Sequence, residues 1–132
     1  MKLKFLWINS ACYEGVLIPA VRIVEANDGF KSDIIIGVLM DDGGGGLKRN
    51  IEEVSDLIFH LMKIKSGELL DYFWNRNSWW VELSLGEVRI EFQFDDGYFE
   101  IISFEDFERI ALKWNDFINS SPDLTRVVEF DV

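Results

Sequence analysis

The chain is poor in the residues that most often reveal a compartment or a chemistry. Its 132 residues include one cysteine, two prolines and one histidine. Cys12 has no second cysteine with which to form an internal disulfide or a cysteine-based metal site, so nothing in the sequence requires an oxidising compartment. His60 cannot be one of a pair of histidine ligands, and we expect it to be structural.

Long apolar runs are also missing. The run from Phe5 to Ile8 is interrupted by Asn9, whereas a secretory signal needs about 7 to 15 apolar residues. No stretch approaches the roughly 18 apolar residues of a membrane span. We therefore expect a protein of the reducing cytoplasm that does not bind a membrane.

Positive charge is scarce as well, with 13 lysines and arginines against 24 aspartates and glutamates. Between Glu82 and Glu108 nine carboxylates face a single base, Arg89, so this stretch carries −8 of the net charge of −11. Such an asymmetry points toward a basic partner and away from nucleic acid.

The first part of the chain contains three short segments that are predicted to be strands. Residues 3–9, 16–25 and 33–40 are rich in branched and aromatic side chains, which predicts three strands. Pro19 lacks a backbone N–H, so the second of them belongs at a sheet edge or carries a bulge.

An amphipathic helix is predicted next, because apolar residues recur at spacings of three and four from Leu47 onward. Asn50 followed by Glu53 resembles a capping box at its start. Ser66-Gly67 is predicted to end the helix.

Two tight turns predict a three-stranded meander in the second half. Gly86-Glu87 fits a type II′ turn and Asp96-Gly97 a type I′ turn. The predicted cross-strand partners include Leu83 with Ile90 in the first hairpin, and Phe94 with Phe99 in the second.

The end of the chain predicts a helix and a strand. Ser103 with Asp106 indicates a capped helix start, Asn119 to Pro122 ends that helix, and Thr125 to Val132 is rich enough in β-branched residues for a last strand. The whole pattern predicts an α+β fold in a single domain, residues 1–132. Its sheet is mostly antiparallel, with about six strands and two helices packed on one face.

With this register, the outward face of the meander is acidic and Glu82 lies opposite Glu91. Like charges opposite each other destabilise a sheet by up to about 1 kcal/mol, so stability alone would favour lysine at one position. We therefore predict a surface that binds a Lys/Arg-rich protein, although an acidic face could also serve solubility alone. The predicted partner-binding residues are Trp80, Glu82, Glu87, Glu91, Asp95, Asp96, Tyr98 and Glu100.

Motifs for chemistry are incomplete. The glycines from Gly43 to Gly46 complete neither phosphate-binding pattern, and Asp41-Asp42-Gly43 lacks the spacing of a calcium loop. A carboxylate pair on a flat sheet is not a glycosidase cleft, and no motif supports Cys12 with His60 as a nucleophile and base. The sequence predicts no catalytic residue, no metal and no cofactor.

One segment resembles a known class of proteins. The pattern over residues 66–119 looks like that of small bacterial immunity proteins, which are encoded beside polymorphic or contact-dependent-inhibition toxins. The residues that carry the resemblance are Trp74 to Trp79, Val81-Glu82-Leu83, Phe94-Asp95-Asp96, Phe104 to Phe107, Trp114 and Phe117.

The resemblance implies a cytosolic, non-enzymatic protein that binds a cognate toxin domain, often a basic nuclease, and blocks its active site or substrate groove. A monomer is the favoured oligomeric state. Two alternatives stay open: an acidic regulatory or assembly module that homo-oligomerises through its sheet edge, and an enzyme or small-ligand binder that uses the Gly43 to Gly46 loop with His60.

Overall fold

A computed structural model describes all residues, 1–132, and contains seven strands and three helices. The strands are β1 (Lys2–Asn9), β2 (Leu17–Glu25), β3 (Asp71–Asn75), β4 (Trp79–Ser84), β5 (Val88–Phe92), β6 (Phe99–Ile102) and β7 (Val127–Asp131). The helices are α1 (Asp33–Met40), α2 (Gly46–Lys65) and α3 (Phe104–Ile118).

The predicted α+β class is confirmed, but the strands form two antiparallel sheets instead of one. The first sheet has the order β2-β1-β7, and the second has the order β3-β4-β5-β6. Helix α1 contacts a strand of each sheet, β2 and β5, while α2 packs on α3 and on β3 and β4. One cluster of 27 buried residues joins these elements.

Strand β1 shows how the alternation of side chains builds that core. Leu3, Phe5 and Trp7 all point inward and are buried. The Phe5 ring meets the Trp114 ring of α3 edge to face, with 4.9 Å between the ring centroids. Trp7 stacks on Phe117 at 5.3 Å, so aromatic contacts help to hold α3 on the first sheet.

Several predicted elements are confirmed. Strands β1, β2 and β7 lie within one or two residues of their predicted bounds, and β2, which contains Pro19, is an edge strand. Helix α3 begins where expected, because the Ser103 Oγ accepts a hydrogen bond from the backbone N–H of Asp106 at 3.1 Å. Asn119 follows the helix as its C-cap.

The strand predicted over residues 33–40 is wrong, because this segment is helix α1. Its buried residues Ile34, Ile35, Val38 and Leu39 follow helical spacing. A short apolar run that is buried on most sides has no periodicity that separates a strand from a helix. Packing decides between strand and helix for this segment, because α1 lies against β2 and β5.

The predicted start of α2 is also wrong. The helix begins at Gly46, after Gly45 as its N-cap, and no side chain caps it. Asn50 lies inside the helix and is buried, where its Nδ2 donates to the Leu39 carbonyl oxygen at 3.3 Å. The predicted capping residue therefore serves a tertiary contact, while the predicted stop is confirmed, with Ser66 as C-cap and a positive φ of 84° at Gly67.

The register predicted for the β4–β5 hairpin is wrong by two residues. Leu83 lies opposite Val88, because the turn is centred one residue earlier, on Leu85 and Gly86. Ser84 closes it by donating from its backbone N–H and its Oγ to the Glu87 carbonyl oxygen, at 3.2 and 2.9 Å. Gly86 has no positive φ, so this is not the type II′ turn that was expected.

The β5–β6 register differs by three residues, an odd number that reverses the faces of β6. Phe99 lies opposite Glu91 instead of Phe94. Gly97 has no positive φ, so the type I′ turn is absent. The Asp95 carboxylate instead accepts from the Gly97 N–H at 3.0 Å, in a longer connection between the strands.

Candidate functional site: an open sheet face and an acidic groove

The second sheet leaves one of its faces uncovered, and we call this surface the open face. It is formed by the side chains that alternate with the buried residues of β3 to β6. Its members are Asp71, Phe73, Asn75, Trp80, Glu82, Ser84, Arg89, Glu91, Phe99 and Ile101.

Large apolar side chains are exposed on the open face. Phe73 is 59% exposed and Trp80 is 47% exposed, although both belong to regular strands. Ile101 is also exposed, and the Arg89 guanidinium lies 3.9 Å from the centre of the Phe99 ring. Exposed aromatic side chains of this size are the residues that most often anchor a protein partner.

The charges of the open face differ from the prediction. Glu82 lies opposite Arg89, and Glu91 lies opposite Trp80, so the predicted Glu82–Glu91 pair of like charges is wrong. Arg89 Nη2 is 3.6 Å from Glu91 Oε1, which partly neutralises Glu91. Glu82 has no ion-pair partner, and neither does Asp71 at the edge of the face.

Two predicted partner-binding residues, Tyr98 and Glu100, are not on the open face. Glu100 lies opposite Ile90, whose side chain is buried on the other side of the sheet. Its carboxylate accepts from the Lys31 backbone N–H at 2.9 Å and lies 3.5 Å from Lys31 Nζ. Tyr98 packs against the core and donates its hydroxyl to Asp33. Glu100 thus holds Lys31, just before α1, and Tyr98 holds Asp33, the first residue of α1.

The other predicted acidic residues lie in the two connections of the second sheet. Glu87 is exposed in the β4–β5 turn, next to the open face. Asp95 and Asp96 are exposed in the β5–β6 connection, and Asp95 is occupied by its turn contact with Gly97. The structure therefore brings Trp80, Glu82, Glu87 and Glu91 to one surface and separates them from Tyr98 and Glu100.

A buried arginine positions the β3–β4 hairpin. Arg76 is 4% exposed. Its guanidinium donates to the carbonyl oxygens of Val38 and Leu39 at 3.0 and 3.1 Å, and to Asn50 Oδ1 at 2.7 Å. Burial lowers the pKa of Arg76, and the neighbouring Glu53 carboxylate opposes this shift. Arg76 thus ties the hairpin to the end of α1 and to α2.

An acidic groove runs between α2 and β3, beside the open face. It has a volume of about 360 Å³. Its walls are Glu52, Glu53, Asp56, Tyr72, Phe73, Trp74 and Asn75.

The carboxylates of the groove differ in how far they are already engaged. Glu53 is shared, at 3.5 Å each, between Arg49 Nε and Arg76 Nη1. Asp56 accepts from the Tyr72 hydroxyl at 3.2 Å, and desolvation together with Asp56 raises the pKa of Tyr72. Glu52 is exposed and has no ion-pair partner, so it is the carboxylate most free to meet a cation.

The residues considered for chemistry have structural contacts. His60 stacks on Tyr72 with 3.5 Å between ring centroids, and its Nδ1 donates to the Asp56 carbonyl oxygen at 2.8 Å. Cys12 is exposed in the β1–β2 loop. The glycine loop is held by Arg49, whose Nη1 donates to the Gly43 carbonyl oxygen at 3.3 Å. No group of three or more His, Cys, Asp or Glu side chains is arranged to hold a metal ion.

Strand β3 and the groove beside it were not predicted from the sequence. The signal was present in the alternation of Tyr72 and Trp74 with exposed residues, but the unbroken run of aromatic residues obscured it. The acidic residues of α2 could not be assigned to the same region, because only the fold brings Glu52 and Asp56 beside Phe73.

None of the helices is both long enough and apolar enough to span a membrane. Comparison of the chain with protein-family models, with curated proteins and with solved structures finds no match.

Proposed function

We propose that this chain is a non-enzymatic immunity protein that acts in the cytoplasm as a monomer and neutralises a basic toxin domain, with a nuclease as the favoured activity of that domain. The supporting observation is the open face, where Phe73 and Trp80 are exposed beside carboxylates that have no internal partner. A surface of this kind supplies apolar anchors for affinity and charge for orientation.

The charge of the surface favours a basic partner over a neutral one. Asp71, Glu82 and Glu87 have no cationic neighbour within ion-pair distance, and only Arg89 on the same face carries positive charge. A partner that brings lysine or arginine can form charge-assisted hydrogen bonds to these carboxylates. Nucleic acid would be repelled by the same groups, but a nuclease groove built to bind phosphates would be attracted.

The direct test is complex formation with the toxin domain encoded by the neighbouring reading frame. We expect the two proteins to copurify after coexpression and the chain to restore growth to cells that produce the toxin domain. A neighbouring reading frame that encodes no toxin domain, or one whose domain shows neither binding at micromolar concentration nor loss of toxicity, would show that the proposal is wrong.

The open face is tested by replacing its central anchor. We expect Trp80→Ala to weaken the complex by about tenfold or more. Replacing a half-exposed aromatic residue at the centre of an interface with alanine removes most of the contact area of that residue. Tyr13→Ala is the matched control, since Tyr13 is an exposed aromatic residue of the β1–β2 loop and should leave the affinity unchanged. Equal effects of the two variants, measured by calorimetry, would place the interface elsewhere.

Salt dependence tests the electrostatic part of the proposal. The association rate with the toxin domain should fall by about tenfold or more between low and high salt, because exposed charges steer the encounter and salt screens them. Stopped-flow measurements over a salt series provide the check. An association rate that does not change with salt would mean that the carboxylates do not steer binding.

A further inference from the structure

Strand β3 is an unpaired edge of the second sheet. It pairs with β4 on one side and with no strand on the other. The Arg76 backbone N–H donates to the Trp79 carbonyl oxygen at 2.8 Å, which sets the alternation of hydrogen-bonded pairs in this ladder. The backbone groups of Trp74 and Tyr72 therefore point toward β4, whereas those of Asp71, Phe73 and Asn75 point away from the sheet.

These outward backbone groups are free. None of the N–H or C=O groups of Asp71, Phe73 and Asn75 takes part in a hydrogen bond of a turn or loop, or in one with a side chain. An exposed row of this kind is a template for another strand unless the protein covers or blunts it. Here the row forms one side of the acidic groove, whose other side is α2.

We propose that the groove accepts an extended basic segment of the partner, which adds to β3 as a fifth strand of the second sheet. The inference rests on the proposed function in that the segment belongs to the basic toxin domain. Backbone hydrogen bonds to residues 71, 73 and 75 supply the register, and the side chains of the added strand alternate between the two faces of the sheet.

The alternation predicts the chemistry of the segment. Side chains on the inner side of the added strand lie on the side of Tyr72 and Trp74, where Glu52 and Asp56 line the groove, and lysine or arginine suits these positions. Side chains on the outer side lie beside Phe73 on the open face, where an apolar residue forms a favourable cross-strand pair. The segment therefore alternates basic and apolar residues.

A second copy of this chain is the competing occupant of the edge, and the charges disfavour it. Two antiparallel copies of β3 would bring two sets of Glu52 and Asp56 to the same junction, with no basic residue among those lining either groove. Like charges so placed repel each other. A basic segment instead complements the carboxylates, so the groove favours a partner of opposite charge over a second copy.

The probe for this inference is a synthetic ten-residue peptide that alternates lysine and valine, tested with the chain of 132 residues. We expect it to bind, and a peptide that alternates glutamate and valine to bind at least about tenfold more weakly, because charge complementarity is lost. The amide protons of Phe73 and Asn75 should exchange more slowly with solvent when the lysine peptide is bound. Absence of binding, or protection at another strand, would overturn the inference.

Variants separate the backbone contribution from the side-chain contribution. Phe73→Pro removes an outward N–H and Phe73→Ala keeps it, so the affinity for the lysine peptide should be about tenfold lower in the proline variant than in the alanine variant. Glu52→Lys should also weaken binding by about tenfold, while Glu14→Lys in the β1–β2 loop is the charge-matched control. If the proline variant does not fold, the hydrogen-exchange measurement and the comparison of Glu52→Lys with Glu14→Lys still test the inference.

The same variants distinguish this inference from the proposed function. If the toxin domain binds and responds to Trp80→Ala but not to Phe73→Pro or Glu52→Lys, strand addition is wrong and the proposed function stands. If the lysine peptide binds the edge and the toxin domain does not bind, β3 is still a site for a basic strand, but the proposed function fails and with it the assignment of that strand to a toxin domain. Light scattering that shows a dimer, with Phe73 protected before any peptide is added, would assign the edge to a second copy and overturn the inference.

Discussion

Replacing Arg76 with alanine is expected to lower the free energy of unfolding by about 3 to 5 kcal/mol. The Arg76 side chain is fully buried, and it provides the hydrogen bonds to the Val38 and Leu39 carbonyl oxygens at the end of α1. Without it, these carbonyl groups and Asn50 Oδ1 lose a donor inside the protein, and each buried polar group left without a partner is costly. Urea denaturation provides the measurement.

Arg22→Ala is the matched control for this loss. Arg22 is exposed on β2, forms no ion pair and should change stability by no more than about 0.5 kcal/mol. Adding Glu53→Gln to Arg76→Ala should recover part of the stability, because Glu53 loses one of its two basic neighbours when Arg76 is removed. A loss below about 1 kcal/mol in Arg76→Ala would mean that other contacts hold the hairpin.

The Arg76 variant also bears on the candidate site, since the hairpin tied by Arg76 presents Phe73 and Trp80. A folded Arg76→Ala protein that binds the toxin domain with unchanged affinity would show that the open face is organised by its own sheet contacts. We expect instead that the affinity falls with stability, because the turn between β3 and β4 loses its attachment to α1 and α2.

Gly37→Ala is expected to destabilise the protein by about 2 to 3 kcal/mol. Gly37 lies in α1, where alanine favours the helix by about 1 kcal/mol. A Cβ atom at this position would, however, lie 2.4 Å from Cζ2 and 2.6 Å from Cε2 of the Trp79 ring. Trp79 is itself packed against Phe92, with 5.1 Å between ring centroids, so the ring has little room to move and the clash outweighs the gain in helix propensity.

Gly86→Ala provides the control for the glycine effect. Gly86 lies in the β4–β5 turn without a positive φ, and a Cβ atom there meets nothing within 4 Å. We expect a change within about 0.5 kcal/mol in thermal denaturation. If Gly37→Ala were as harmless as Gly86→Ala, the close approach of α1 to Trp79 would not be a constraint on the fold.

Local patterns predicted the elements whose partners lie nearby in the sequence or whose faces are strictly alternating. Strand β1 was identified because every second residue, Leu3, Phe5 and Trp7, is large and apolar. Helix α3 was identified because Ser103 stands three residues before Asp106, and its Oγ accepts from the Asp106 backbone N–H within the first turn. Such signals do not depend on the remainder of the fold.

The register of the second sheet was not predictable in the same way. The pairs Gly86-Glu87 and Asp96-Gly97 are typical of two-residue hairpin turns, yet neither glycine has the positive φ that those turns require. Side chains decided the turns instead: Ser84 binds Glu87 in one, and Asp95 binds Gly97 in the other. A shift by two residues preserves the faces of a strand, but a shift by three reverses them.

That difference separates the predicted site residues. Trp80, Glu82 and Glu91 lie on the expected face, because the even shift of β5 kept their side, although Arg89 instead of Glu91 became the neighbour of Glu82. Because the register of β6 is shifted by an odd number, Glu100 lies on the opposite face from the one predicted, where its carboxylate accepts a hydrogen bond from the Lys31 backbone N–H. The candidate site therefore carries less negative charge than predicted and exposes more aromatic surface.

By itself, the amino-acid sequence determined the α+β class, the surplus of negative charge and most helix and strand positions, since these depend on composition and on periodicities of two to four residues. Only the tertiary structure decided that residues 33–40 are a helix, that the strands divide into two sheets, and that β3 has a free edge beside Glu52 and Asp56. These features arise from contacts between residues far apart in the chain, and such contacts leave no local pattern from which they can be recognised.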